Sequence, residues 1–159
     1  MAACRCVRGA CEESGSGGVA DGAGVAALLA LGADAVQLGT RFIATPEASV
    51  HENYKQAVLE ADVDQTALVG RGRLPIRQLK NAFSRKYETA ERAGASTEDL
   101  EAIFNTSSLK QAALTGDTEW GKVEAGQSAG LVDEILPAAE VFRRLVAEVE
   151  QARRRLASL

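Results

Sequence analysis

Five of the ten residues from Gly15 to Gly24 are glycine: Gly15, Gly17, Gly18, Gly22 and Gly24. Glycine supplies backbone conformations closed to other residues and loses the most freedom when ordered, so this stretch opens as a loop. The neighbouring residues limit the fold further. Val25-Ala-Ala-Leu-Leu-Ala-Leu31 is apolar and ends at Gly32. Val25, Leu28, Leu29 and Gly32 fall at helical spacing, with Asp21 placed to cap the start and Gly32 to stop the end. Ala35-Val-Gln-Leu38, short and mostly apolar, then runs into Gly39-Thr40, as a buried parallel strand does. Glycine loop, helix, strand and glycine loop form the αβ part of a repeating βα architecture.

Gly17-Gly18 and Gly39-Thr40 lie about one βα repeat apart. In (β/α)8 barrels the loops after the last two strands commonly form a phosphate site. Glycine lets backbone N–H groups approach an anion closely, the helix after it favours negative charge at its N-terminus, and Thr40 adds a hydroxyl. Two other readings stand beside this one. Gly15-x-Gly17-x-x-Ala20 matches a dinucleotide-binding fingerprint. That motif needs a hydrophobic strand before it, where this chain has Cys11-Glu-Glu-Ser14. The glycines could also serve only as turns.

At 159 residues the chain supports one core. Its net charge of −4 does not point to nucleic acid, and no apolar run reaches the length of a membrane helix. His51 is the only histidine, which excludes catalysis by paired histidines. Cys4, Cys6 and Cys11 are odd in number and lack a fourth nearby ligand, so neither a disulfide framework nor a zinc site is expected. Arg5, Arg8, Glu12 and Glu13 rule out a secretory leader in the first residues, and a cytoplasmic protein is expected.

Further along, Thr45-Pro46-Glu47 predicts a helix start, with Val50, Tyr54, Ala57, Val58 and Ala61 on one face. Thr66–Val69 predicts a strand, Gly70–Gly72 a turn, and residues 76–92 a basic helix. Ser96–Asp99 opens a helix carrying Leu100, Ile103 and Phe104. Gly116–Gly130 reads as loop. Pro137 opens a last helix with Val141, Phe142, Leu145, Val146, Val149 and Leu156 on its apolar face.

Gly17-Gly-Val-Ala-Asp-Gly22, Leu31-Gly-Ala-Asp34 and Val36-Gln-Leu-Gly-Thr-Arg-Phe42 together resemble the C-terminal part of the nitronate monooxygenase family. That family was formerly called 2-nitropropane dioxygenase and includes the flavin-dependent enoyl-acyl-carrier-protein reductase II. The resemblance continues through His51-x-x-Tyr54-Lys55, Leu79-Lys-Asn81 and Ala125-Gly-Gln-Ser-Ala-Gly-Leu-Val132. It implies an α/β fold: the C-terminal portion of a TIM-type (β/α)8 barrel, incomplete, with a small helical inserted domain. Residues 15–61 would be the last βα units, 62–135 the insert and glycine-rich loop, and 136–159 the C-terminal helix. Residues 1–14 would be a disordered or unrelated N-terminus.

The resemblance also implies FMN. Gly17, Gly18, Gly39 and Thr40 would hold its phosphate, Gln37 would lie near them, and Gly126, Gln127 and Ser128 would lie by the ring and substrate. The flavin would carry electrons from a nitronate or NAD(P)H to oxygen or an enoyl thioester. The family's catalytic histidine belongs to the N-terminal half, so His51 is expected to make a surface or hinge contact. No catalytic residue and no metal ligand is expected in this chain.

Two departures from the family are visible. Ser14-Gly-Ser16 stands in place of a hydrophobic barrel strand, and Lys122 and Glu124 replace small apolar residues. With the barrel incomplete, the isolated chain should bind FMN weakly or not at all and could self-associate through its open side; the alternative reading is a non-catalytic remnant lacking the catalytic half. The basic residues between Arg71 and Arg92 read as a solvated face, as do Arg153–Arg155. Trp120 either covers a pocket or anchors its loop.

Overall fold

The computed structural model describes residues 14–71 and 74–158. The three cysteines and all but the last residue of the N-terminal segment expected over residues 1–14 lie outside these residues; Ser14 itself begins a strand. Ser14–Ser16 is a strand, β1, where the sequence suggested that a barrel strand had been replaced. It pairs in parallel with β2 (Ala35–Gln37), in the register Ser14↔Ala35, Gly15↔Val36 and Ser16↔Gln37. Helix α1 (Gly22–Ala30) connects them, completing a βαβ unit. A strand without large side chains works here because α1 lies very close to it. A Cβ on Gly15 would come within 2.8 Å of the Leu28 side chain.

Asp21 caps α1, its carboxylate accepting from the Gly24 amide at 2.7 Å. The first turn of α1 packs on the C-terminal helix α7 (Ala138–Ala157). A Cβ on buried Gly22 would overlap Glu148 Cβ and the Leu145 carbonyl, and the Gly22 amide donates to Glu148 Oε2 at 2.6 Å. Glycine permits that close approach.

After β2 comes a short helix, α2 (Thr40–Ile43). The helix expected to start at Thr45 does not form there. Thr45 instead caps an isolated turn, accepting from the Ala48 amide at 3.2 Å. The His51 amide then donates to the Ala113 carbonyl at 2.7 Å, and α3 runs only from Glu52 to Leu59. His51 is its N-cap: Nδ1 accepts from the Asn53 amide at 3.1 Å, and the ring lies against Gly116. Gly116 ends α6 (Leu109–Thr115) with φ +74°. His51 thus joins two helix ends, a structural contact.

The expected basic helix over 76–92 is two elements. β3 (Thr66–Val69) and β4 (Ile76–Leu79) form an antiparallel hairpin, and α4 spans Ala82–Arg92. Asn81 makes the break. Its side chain accepts from the Ser84 amide at 3.0 Å while the Ser84 hydroxyl donates back towards the Asn81 backbone and accepts from its amide. This is a reciprocal cap at the start of α4. The region 62–135 therefore carries a hairpin in addition to α4, α5 (Thr97–Phe104) and α6. Ser96 caps α5 as the sequence indicated.

One cluster of buried side chains joins Ala20 and Ala44 to Tyr54, Val58, Leu79, Val123, Ala129 and Val132. A smaller one under the hairpin holds Val69, Phe83 and Tyr87, flanked by Leu100, Ile103 and Phe104. No helix among the described residues is long and apolar enough to cross a membrane.

Candidate functional site

Because β1 and β2 run parallel and in register, the segments leaving them emerge at the same edge. Gly17 and Gly18 come directly after β1 with φ of +90° and +75°, which other residues adopt only with strain. Gly39 lies just beyond β2. A Cβ built on Gly17, Gly18 or Gly39 would find nothing within 4 Å, so all three border open space. Gln37 is exposed at the end of β2. It lines a largely apolar groove shared by α1 and α7, with Val25, Leu29 and Phe142.

Thr40 is buried, and its Oγ accepts from the Gly126 amide at 2.9 Å, across 86 residues of sequence. This brings two of the expected site segments into direct contact. A Cβ on Gly126 would sit 3.3 Å from Thr40 Oγ and 3.5 Å from Ser128 Oγ. Gly126 opens a 3-10 turn over Gln127–Leu131 in which Ser128 is buried and Gln127 exposed. The next residue of α2, Arg41, donates to the Glu134 carbonyl at 3.2 Å. Burial lowers the Arg41 pKa, while Glu134 and Asp133 oppose that shift. Helix α2 therefore grips the segment 126–134 near both ends. The Gly-Thr motif marks Thr40 in the sequence and the Gly-Gln-Ser motif marks Gly126, but no local signal shows that the two meet across 86 residues.

Residues 122–125 lie beside β4. The Leu79 amide donates to the Val123 carbonyl at 2.9 Å, and the Ala125 amide to the Arg77 carbonyl at 3.3 Å. Lys122 and Glu124, expected to disturb this approach, are accommodated. The Lys122 stem is buried, and its ammonium lies 3.3 Å from the Phe104 ring centroid and 5.6 Å from that of Phe83. Burial lowers the Lys122 pKa and raises that of Glu124, and each residue's charge partly opposes the other's shift. Buried Tyr54 donates its hydroxyl to the Glu124 carbonyl at 2.7 Å, and burial raises its pKa.

Asn81, to which the sequence alone assigned no role, ties the glycine loop down. Its Nδ2 donates to the carbonyls of Thr118 and Gly121, each at 2.8 Å. Trp120 is held by its backbone: its amide donates to Asp117 Oδ1 at 2.9 Å, its carbonyl accepts from Ser107 Oγ at 2.6 Å, and its ring is half-exposed. On the basic face, Arg85 pairs with Glu119 and Arg92 with Glu88. Among the described residues no group of three His, Cys, Asp or Glu side chains converges.

Residues 15–148 match the family model for nitronate monooxygenase. A nitronate monooxygenase of Pseudomonas aeruginosa is 37% identical over 145 residues, which cover 89% of this chain and 40% of that protein. One from Paraburkholderia phytofirmans is 36% identical over 139 residues, covering 86% and 37%. Among solved structures, FabK from Thermotoga maritima superposes with a TM-score of 0.84 at 38% identity, over 91% of this chain and 46% of that one. A nitroalkane oxidase from Streptomyces ansochromogenes superposes at 0.70 with 36% identity, over 90% and 40%. The chain thus spans less than half the length of these relatives. With the family model matched across nearly all the described residues and the glycine, Gly-Thr and Gly-Gln-Ser segments in place, the chain belongs to the nitronate monooxygenase family.

Proposed function

We propose that this chain is the C-terminal portion of a (β/α)8 barrel and the phosphate-holding side of an FMN-dependent oxidoreductase that oxidises alkyl nitronates with oxygen. In this reading Gly17, Gly18, Gly39 and Thr40 hold the FMN phosphate through backbone N–H groups and one hydroxyl. Gln37 lies near them at the end of β2, and Gly126, Gln127 and Ser128 border the ring and substrate. The residues fit such a group: three glycines facing open space leave room for phosphate oxygens against the backbone. Bound FMN supplies the electron-transfer chemistry, and the chain's residues bind and orient it. The observation that carries the reading is the Gly126–Thr40 hydrogen bond, which joins the Gly-Thr and Gly-Gln-Ser segments at one place.

The test is a fluorescence titration of purified chain with FMN, with inorganic phosphate as competitor. Of the two outcomes an incomplete barrel allows, weak binding or none, the proposed site requires the first: weak saturable binding, displaced by phosphate. Gly39→Ala should weaken it about tenfold, because the added methyl group holds the anion off the amides. Absence of saturable binding at millimolar FMN would overturn the site. Flavin co-purifying near one per chain would overturn the expected weakness. Oxygen uptake with an alkyl nitronate, compared with NAD(P)H-dependent reduction of an enoyl thioester, separates this reading from the enoyl-reductase alternative. Inactivity with both, despite bound flavin, would favour a non-catalytic module.

A further inference from the structure

A threonine hydroxyl has one proton to donate and two lone pairs that can accept. At Thr40 the side chain's hydrogen bond is an accepting one, from the Gly126 amide. Among the described residues no acceptor takes the hydroxyl proton. Thr40 directly follows Gly39, which like Gly18 borders open space. An O–H whose oxygen already accepts an N–H hydrogen bond is polarised and becomes a better donor, and the reverse also holds.

We propose that Thr40 is a positioning residue that couples the two ends of the site. Its hydroxyl donates to the phosphate while accepting from Gly126, so that occupation of the phosphate loops sets the position of the Gly126–Ser128 turn. The inference rests on the flavin reading above and goes beyond it by giving the phosphate a second role. It selects the geometry of the segment beside the ring as well as anchoring the cofactor.

Three features make the link mechanical. Gly126 has no side chain between it and Thr40, and even a Cβ there would come within 3.3 Å of the hydroxyl oxygen. The carbonyl of Gly126 accepts from the Ala129 amide at 3.0 Å, so a movement of Gly126 is passed into the 3-10 turn. Arg41 holds the far end of the segment at the Glu134 carbonyl. Helix α2 therefore carries the phosphate contact and both attachments of the segment.

The experiment is an amide NMR titration of uniformly labelled chain, tracking the glycine resonances with inorganic phosphate alone and then with FMN. With either ligand, Gly17, Gly18 and Gly39 should shift. Gly126 should shift along the same saturation curve, and its hydrogen exchange should slow. Thr40→Ser keeps the hydroxyl and should preserve the Gly126 response. Thr40→Val should abolish it and weaken binding about tenfold, as the loss of a hydrogen bond to a charged group does. If Gly17, Gly18 and Gly39 respond in the wild type but Gly126 does not, the coupling is wrong and the phosphate site stands. If Thr40→Val folds and Gly126 responds as before, the coupling is also wrong. If no glycine responds to either ligand, the flavin reading fails and takes the coupling with it. Should Thr40→Val not fold, the wild-type exchange measurement and Thr40→Ser still decide.

Discussion

At the scale of single residues, glycines of one chemical type do different work, and the structure separates them. Gly22 is a packing glycine, because a methyl group there would strike the backbone and side chains of α7. Gly22→Ala should cost about 1–3 kcal/mol, measured by urea unfolding, as overpacking does. Gly39 has φ −109° and free space around it, so Gly39→Ala should leave stability within about 0.5 kcal/mol and act on anion binding alone. Gln78 is a different case. It is fully buried on β4, and neither its side-chain oxygen nor its nitrogen has a hydrogen-bond partner. An unsatisfied buried amide is destabilising, so Gln78→Met, close in volume and apolar, should raise stability by about 1 kcal/mol in the same assay. A fall in stability would show that the amide is satisfied in solution. None of these three distinctions is legible locally, since each depends on what a distant segment places next to the residue.

At the scale of elements, the C-terminal helix shows how charge pattern becomes pH dependence. Hydrogen bonds from Arg143 and Arg144 hold the Glu140 carboxyl down to about 2, below its ordinary 4.5. A lowered carboxylate pKa adds stability above the ordinary value, and that contribution disappears as pH falls from about 4.5 towards 2. Thermal unfolding measured across this range should show a shallower acid decline in Glu140→Gln than in the wild type. The difference should be small and shrink with salt, because these pairs are exposed. Glu124 works in the opposite sense: its raised pKa removes stability as pH rises just above the ordinary carboxylate value. Elements with strong local signals are legible in the sequence, among them α1 with its Asp21 cap, β2 (parallel as expected, but exposed at Ala35 and Gln37 rather than buried), β3, α5 behind Ser96 and α7 after Pro137. The hairpin strand β4 is not, because Ile76-Arg-Gln-Leu79 is strand only by pairing with β3 and with residues 122–125. The Asn81–Ser84 cap is written in the sequence, but the basic residues on both sides of it mask the break it makes. The helix expected at Thr45 fails because the backbone after it bonds to α6.

For the whole molecule, the side of the βαβ unit facing α7 leaves apolar surface uncovered. Phe142 and Val146 are 63% and 53% exposed and Leu29 41%, and they border the same groove. A continuous apolar face beside open strand edges favours association. Sedimentation equilibrium should find the chain associating with rising concentration. Phe142→Glu combined with Val146→Glu should shift it towards monomer with little change in melting temperature. A wild type that stays monomeric at high concentration would refute this.

What the sequence determined unaided was the local grammar: glycine loops before a helix and after a strand, caps where side chains can reach the next turn, and motifs specific enough to indicate a family. These are effects of backbone freedom and nearest-neighbour hydrogen bonding, acting over a few residues. Only the tertiary structure decided which distant segments meet: Thr40 with Gly126, Gly22 with Glu148, His51 with Gly116, and Lys122 with Phe104. Those meetings arise from how helices and strands stack and from what each buried polar group can reach, and no window along the chain contains that information.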